Sequence, residues 1–141
     1  MIIVAVSGGF DPVHIGHVRM FEEAKKLGDQ LIVIINNDNW LLNKKGHIFM
    51  PESERLEIIR SLDVVDFAIL SLHPKVVTDT SVSRELYSVR PTIFANGGDR
   101  KEENTPEDKT CDELGITMIF NVGGHKIQSS SELVNKYKYK E

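Results

Sequence analysis

The 141-residue sequence contains one cysteine, one tryptophan and no basic excess. The lone Cys111 excludes an intramolecular disulfide and any cysteine-built zinc cluster. It fits a reducing, cytoplasmic setting, and its surroundings read as a helix in which the thiol packs rather than reacts. No stretch approaches the roughly 18–20 apolar residues of a membrane span. The opening MIIVAVSGGF has too short an apolar run for a signal peptide and no basic n-region. With 17 Lys and Arg against 21 Asp and Glu, the net charge of −4 argues against a general nucleic-acid binder. Neither a nucleic-acid nor a membrane partner is expected. Apolar content of 40% and charged content of 27% are those of an ordinary globular protein, and the length suits one domain over residues 1–141.

What is present is an alternation. Residues 2–7 (IIVAVS) are a continuous apolar run ending at Gly8-Gly9, the pattern of a buried parallel strand. A helical pattern follows from about Ile15 to Leu27, with Gly28 as its stop. A second apolar run covers 30–35, and residues 36–50 read as a polar, irregular loop. Pro51 is placed at the first position of the next helix, with Glu52 and Glu54 in its first turn. Further strands are expected at 64–72, 92–95 and 117–122. Helices are expected at 83–89, at about 105–114 with Thr105 as N-cap, and from about Ser129. The pattern implies an α/β, Rossmann-like, three-layer α/β/α fold on a mainly parallel five-stranded sheet.

Ligands of such sheets bind beyond the carboxyl ends of the strands, where helix N-termini point. The unusual residues of this chain gather there. After the first strand stands Gly8-Gly9-Phe10-Asp11-Pro12-Val13-His14-Ile15-Gly16-His17. The glycines admit a ligand to the backbone, and the helix offers unpaired N–H groups and a positive dipole end. His14 and His17 share one side of the first turn, with Gly16 leaving space between them. Read alone, the two histidines could as well cap the helix.

Joined to the Phe-Asp-Pro and the strand–helix context, the segment resembles the signature of the HxGH nucleotidyltransferase superfamily. That group includes glycerol-3-phosphate and choline-phosphate cytidylyltransferases, heptose-phosphate and pantetheine-phosphate adenylyltransferases, and archaeal FAD synthetases. The resemblance covers nearly the whole chain. It implies that His14 and His17 bind the triphosphate and stabilise charge on the α-phosphoryl group and the leaving pyrophosphate. It also implies nucleotide contacts from Gly8, Gly9, Phe10, Asp11 and Gly16.

Three more segments carry the resemblance. Asp38, Trp40 and Lys44 match the spacing of a Thr-Asp-x-Phe stretch and its lysine in the glycerol-phosphate enzymes. They become candidates for acceptor contacts (Asp38, Trp40) and for a catalytic cation (Lys44), and Arg55 for a second phosphate contact. A solvated lysine pair and a surface ion pair are the plainer readings. Asn96-Gly97-Gly98-Asp99-Arg100 looks like the GGDY of the heptose enzymes and the GDDW of the glycerol-phosphate enzymes. It offers Gly97 and Asp99 to a base or ribose, while Arg100 matches neither pattern. Finally Ser129, Ser130 and Ser131 match the hydroxyl run that binds β- and γ-phosphates, although Ser129 and Glu132 also make an S-x-x-E capping box. The family arginine falls on Gly124, and Lys126 stands near enough in sequence to replace it.

The resemblance implies an enzyme moving CMP from CTP to a small phosphorylated alcohol or sugar, with Mg²⁺ carried on phosphates and water rather than on protein ligands. The alternatives are an adenylyltransferase using ATP on a sugar phosphate, phosphopantetheine or FMN, and a non-catalytic nucleotide-binding domain. The resemblance also implies a homodimer.

Overall fold

The computed structural model describes residues 1–98, 100, 105–124 and 130–138, the last two by backbone alone. Five strands, β1 (Ile3–Gly8), β2 (Gln30–Ile35), β3 (Phe67–Leu70), β4 (Ile93–Ala95) and β5 (Thr117–Ile119), form one sheet. All pairs are parallel, in the order β3-β2-β1-β4-β5. Among the described residues six helices connect and flank them: α1 (Ile15–Lys25), α2 (Asp38–Lys45), α3 (Glu52–Arg60), α4 (Ser83–Val89), α5 (Asp108–Leu114) and α6 (Ser130–Lys138). The Rossmann-like α/β expectation is met. Among the described residues no helix is long and apolar enough to cross a membrane.

Period-two alternation along the central strands divides the core in two. Val4 and Val6 of β1 and Leu31, Val33 and Ile35 of β2 pack with Phe21 and Ala24 of α1 and Ile59 of α3. Ala5, Ile34 and Phe94 face the other way, against Val82, Leu86 of α4 and Cys111 of α5. Each fully buried Leu, Ile or Phe contributes about 1.5–3 kcal/mol by leaving water. Cys111 is one of these packing groups, and its thiol pKa is pushed up to about 11, chiefly by burial.

Several boundaries differ from the sequence expectation for physical reasons. Residues 38–45 are helical, not irregular: the Asn37 side chain accepts from the Trp40 N–H, and Gly46 ends the helix at φ 78°. Pro51 is the N-cap of α3 rather than its first helical residue. Gly28 does not stop α1 through a left-handed turn; a Cβ there would stand 2.7 Å from Ile2, so the position is small because β1 lies against it. Thr105 is a buried turn residue whose carbonyl accepts from Asp108, and α5 starts three residues later. The third and fifth strands are shorter than the apolar runs containing them, because Val65 bonds back to Leu62 and Asn121 turns at φ 61°.

The strand order reverses between β1 and β4. Connections run outward to β2 and β3 on one side and to β5 on the other, which opens a crevice above the carboxyl end of β1.

Candidate active site

A cavity of about 310 Å³ lies in that crevice. Its floor is Ser7, Gly8, Gly9 and Phe10 from the end of β1. Its walls are Asn36, Trp40 and Lys45 on the β2 side, and Asn96, Gly97, Gly98, Arg100, Gly123 and Gly124 on the β4–β5 side. His14, Gly16, His17 and Met20 of the α1 region and Ser130 and Ser131 of α6 close it.

The turn after β1 is built to put the histidines there. Phe10 adopts φ 53°, a left-handed conformation that an ordinary side chain holds only under external constraint. The constraint is packing. Phe10 is 5% exposed, and its ring meets His17 edge-on at 4.9 Å and Phe21 at 5.2 Å. Gly8 leaves the space, since a Cβ there would come within 2.9 Å of the Phe10 ring.

His14 is the N-cap of α1. Its Nδ1 accepts from the Gly16 N–H at 3.1 Å, and the Nδ1 of His17 accepts from the His14 N–H at 3.1 Å. This is a reciprocal capping box made of two imidazoles, which also stack at 3.7 Å. A backbone N–H can only donate, so each Nδ1 must present its lone pair, and in the neutral ring the proton sits on Nε2. The fold thereby fixes both tautomers with Nε2–H as the remaining donor. Capping and ligand binding, two competing readings of the sequence, are compatible because they use different ring nitrogens.

The carboxylates and Arg55 form a frame outside the cavity. Asp11, 2% exposed, accepts from the backbone N–H of Phe49 at 2.8 Å with one oxygen and from that of Met50 with the other. Asp38 accepts from the Glu52 N–H, while the Glu52 carboxylate accepts from the Asp38 N–H. Arg55 is fully buried, and four donations go to the carbonyls of Met50, Gly9 and Asn36 and to the Asp38 carboxylate. The sequence suggested nucleotide contact for Asp11, acceptor contact for Asp38 and a phosphate contact or surface pair for Arg55. In the structure Asp11 ties the turn after β1 to the segment before α3, Asp38 ties α2 to α3, Arg55 joins both, and none of the three lines the cavity.

The lysines also sort themselves. Helical geometry places Lys45 four residues after buried Leu41, on the inward side, so Lys45 is half-buried on the cavity wall. Lys44 is exposed and does not line it. Trp40 does, with its indole N–H donated to the Thr80 carbonyl at 2.9 Å. Arg100 lines the opposite wall and pairs at 3.0 Å with Glu107, a 2% exposed carboxylate that also accepts from the Val82 N–H. Gly97, Ser130 and Ser131 line the cavity. Asp99, Lys126 and Ser129 lie outside the described residues.

Sequence reasoning missed Asn36 and Lys45. The signal for Asn36 was its place, directly after β2 at the carboxyl edge of the sheet. The signal for Lys45 was hidden while residues 38–45 were read as a loop. The described lining contains cations, imidazoles and the start of α6 but no Asp or Glu, an anion-binding composition. Among the described residues no group of three or more His, Cys, Asp or Glu could hold a metal ion.

Residues 5–130 match a family model described as cytidylyltransferase-like. The FAD synthase of Methanohalobium evestigatum is 33% identical over 137 residues, covering 94% of this chain and 87% of that protein. The FAD synthase of Thermoplasma volcanium is 34% identical over 139 residues, covering 96% and 94%. Among solved structures, a lipopolysaccharide core biosynthesis protein from Thermoplasma volcanium matches with a TM-score of 0.68 at 34% identity, covering 85% of this chain and 93% of that one. A protein from Archaeoglobus fulgidus matches with a TM-score of 0.63 at 20% identity, covering 84% and 88%, a likeness of fold.

Proposed function

Because the chain belongs to the cytidylyltransferase-like family and is a nucleotidyltransferase, we propose that it transfers AMP from ATP to the phosphate of FMN, forming FAD and pyrophosphate. The observation that carries this reading is the similarity to FAD synthases along almost the full chain. Sequence motifs alone favoured CTP, largely through the Asp38 loop. Asp38 is engaged with Arg55 and Glu52, so that argument loses its force. Family membership also sets aside the non-catalytic alternative.

The chemistry asks little of a general base. A phosphate monoester is largely dianionic at neutral pH, so an oxygen of the FMN phosphate attacks the α-phosphorus directly. A new P–O bond forms as the bond to the β-phosphate oxygen breaks, and pyrophosphate leaves with that electron pair. No covalent enzyme intermediate is required. The protein supplies in-line position and donors for the charge that develops. In this reading His14 and His17 offer Nε2–H to the phosphoryl oxygens, and the N-terminal residues Ser130 and Ser131 of α6 hold the β- and γ-phosphates. Lys45 stands between nucleotide and acceptor, and Gly97 and Gly98 receive the nucleoside. Each donor aimed at the transition state contributes about 2.7–4 kcal/mol.

Mg²⁺ is expected to enter on the triphosphate, as part of the substrate, because no described cavity residue is acidic. A single domain, a cytoplasmic location and a homodimer complete the proposal. Exposed Phe67, Leu72 and Val76 offer apolar surface for the dimer, and light scattering would give its mass.

The test is pyrophosphate release with Mg²⁺, crossing ATP and CTP against FMN, glycerol 3-phosphate, phosphocholine, heptose 1-phosphate and phosphopantetheine. The expected outcome is release with ATP and FMN together, with FAD identified by chromatography. Release only with CTP and a phosphorylated alcohol or sugar would return the function to CMP transfer.

A further inference from the structure

Asn36 is 3% exposed and lines the cavity, yet among the described residues its side-chain Oδ1 has no hydrogen-bond partner. Its backbone is fully engaged: the N–H donates to the Gly8 carbonyl at 2.8 Å, and the carbonyl accepts from Arg55 at 2.6 Å. The peptide is therefore fixed, and the side-chain oxygen is what stays unmatched. An acceptor buried without a partner loses hydration on folding and gains nothing in return. Such atoms in native proteins call for an explanation, and a ligand is one.

The surroundings say which ligand group it meets. Asn36 ends β2 and shares the β2 wall with Trp40 and Lys45, opposite the glycines after β4. In the proposed reaction the nucleoside lies against Gly97 and Gly98 on the opposite side, which leaves this wall to the acceptor. Lys45 and the imidazoles contribute donors, which suit phosphate oxygens. A hydroxyl beside the phosphate also brings a proton that needs an acceptor, and an amide oxygen can take it.

We infer that Asn36 is a specificity-determining residue whose amide oxygen accepts a hydrogen bond from a hydroxyl of the polyol-phosphate portion of the acceptor. The inference rests on the FMN reading above. It also separates selectivity from catalysis: Asn36 distinguishes among acceptors, whereas the histidine pair acts on any triphosphate.

The test uses Asn36→Ala and the volume-similar Asn36→Leu. Both remove the amide while leaving its backbone bonds available. The KM for FMN should rise about tenfold or more in each, and the KM for ATP should stay within about threefold. Because the amide oxygen that both variants remove is unpaired in the fold, Asn36→Leu, which keeps the volume, should hold or raise Tm. Equal rises in both KM values, or none, would overturn the inference. Flavin fluorescence quenching, with a non-hydrolysable ATP analogue present, distinguishes the two levels of the argument. Wild type that binds FMN beside variants that bind it equally well overturns the role of Asn36 alone. Wild type that does not bind FMN overturns the acceptor reading and this inference with it.

Discussion

The guanidinium of Arg55 and the carboxylate of Asp38 form an ion pair at 2.8 Å in which the arginine has no exposed surface. The pair joins α3 to the first turn of α2, and the other donations of Arg55 reach the turn after β1 and the end of β2. Removing Arg55 strips the donor from three carbonyls and from the Asp38 carboxylate at once, at a cost of about 3–5 kcal/mol. Arg55→Leu should lower the unfolding free energy by about that amount in urea titrations. Asp38→Asn should cost less, since three carbonyls still surround the cation. An Arg55→Leu protein with the wild-type denaturation midpoint would show that the pair does not hold these elements together.

The two nitrogens of His17 can be separated by mutation. Asparagine places a polar atom near the Nδ1 position and can keep the bond to the His14 N–H. Glutamine reaches toward Nε2 and sacrifices the cap. His17→Asn should keep the wild-type Tm and lose about 100- to 1000-fold in kcat. His17→Gln should lose stability of about 1 kcal/mol while retaining more activity than the asparagine variant. The reverse ranking in a steady-state assay would mean that capping is the histidine's main task.

Lys44 and Lys45 are adjacent in sequence and divergent in space. Lys45→Ala should reduce kcat by about 100-fold or more, as expected for loss of a cation at developing phosphate charge. Lys44→Ala should stay within about threefold of wild type, the behaviour of an exposed side chain. If Lys44 proved the sensitive one, α2 would have to rearrange around the substrates.

Asp66 gives the fold a dependence on acid. Its carboxylate accepts from Lys25 Nζ and from the Leu31 N–H at 2.8 Å. The Lys25 bond is the larger cause holding its pKa below 3.8. A folded-state pKa below the unfolded one means the stabilisation is complete above the unfolded value. It is lost as pH falls through the folded one. The stability gap between wild type and Asp66→Asn should therefore be constant near neutrality and close below about pH 4. A gap that widened in acid would contradict the sign.

The sequence carried the architecture because each strand is a compact apolar run followed by glycine or turn residues, and buried parallel strands need little else. It obscured α2, where only Leu41 is buried and the remaining residues dilute any helical period. The helix is specified at its ends instead, by the Asn37 cap and Gly46. The histidine site was legible as a motif, whereas its geometry was not, since one-dimensional spacing cannot distinguish Nδ1 from Nε2. Asp11, Asp38 and Arg55 were visible as important residues, but a motif does not state whether a charged group faces a ligand or a neighbouring loop. Only their partners decided that. Asn36 was marked in sequence only by its place after β2; what singles it out is a side-chain oxygen that, among the described residues, has no partner in three dimensions.

The hydroxyl of Ser130, at the start of α6, donates to the carbonyl of Pro12 at 2.9 Å across 118 positions of sequence. A chain emerging from a ribosome can complete β1, β2 and the imidazole cap long before Ser130 exists. The cavity then lacks the wall that Ser130 and Ser131 supply, so the pocket is the last feature of the sheet's carboxyl edge to be closed.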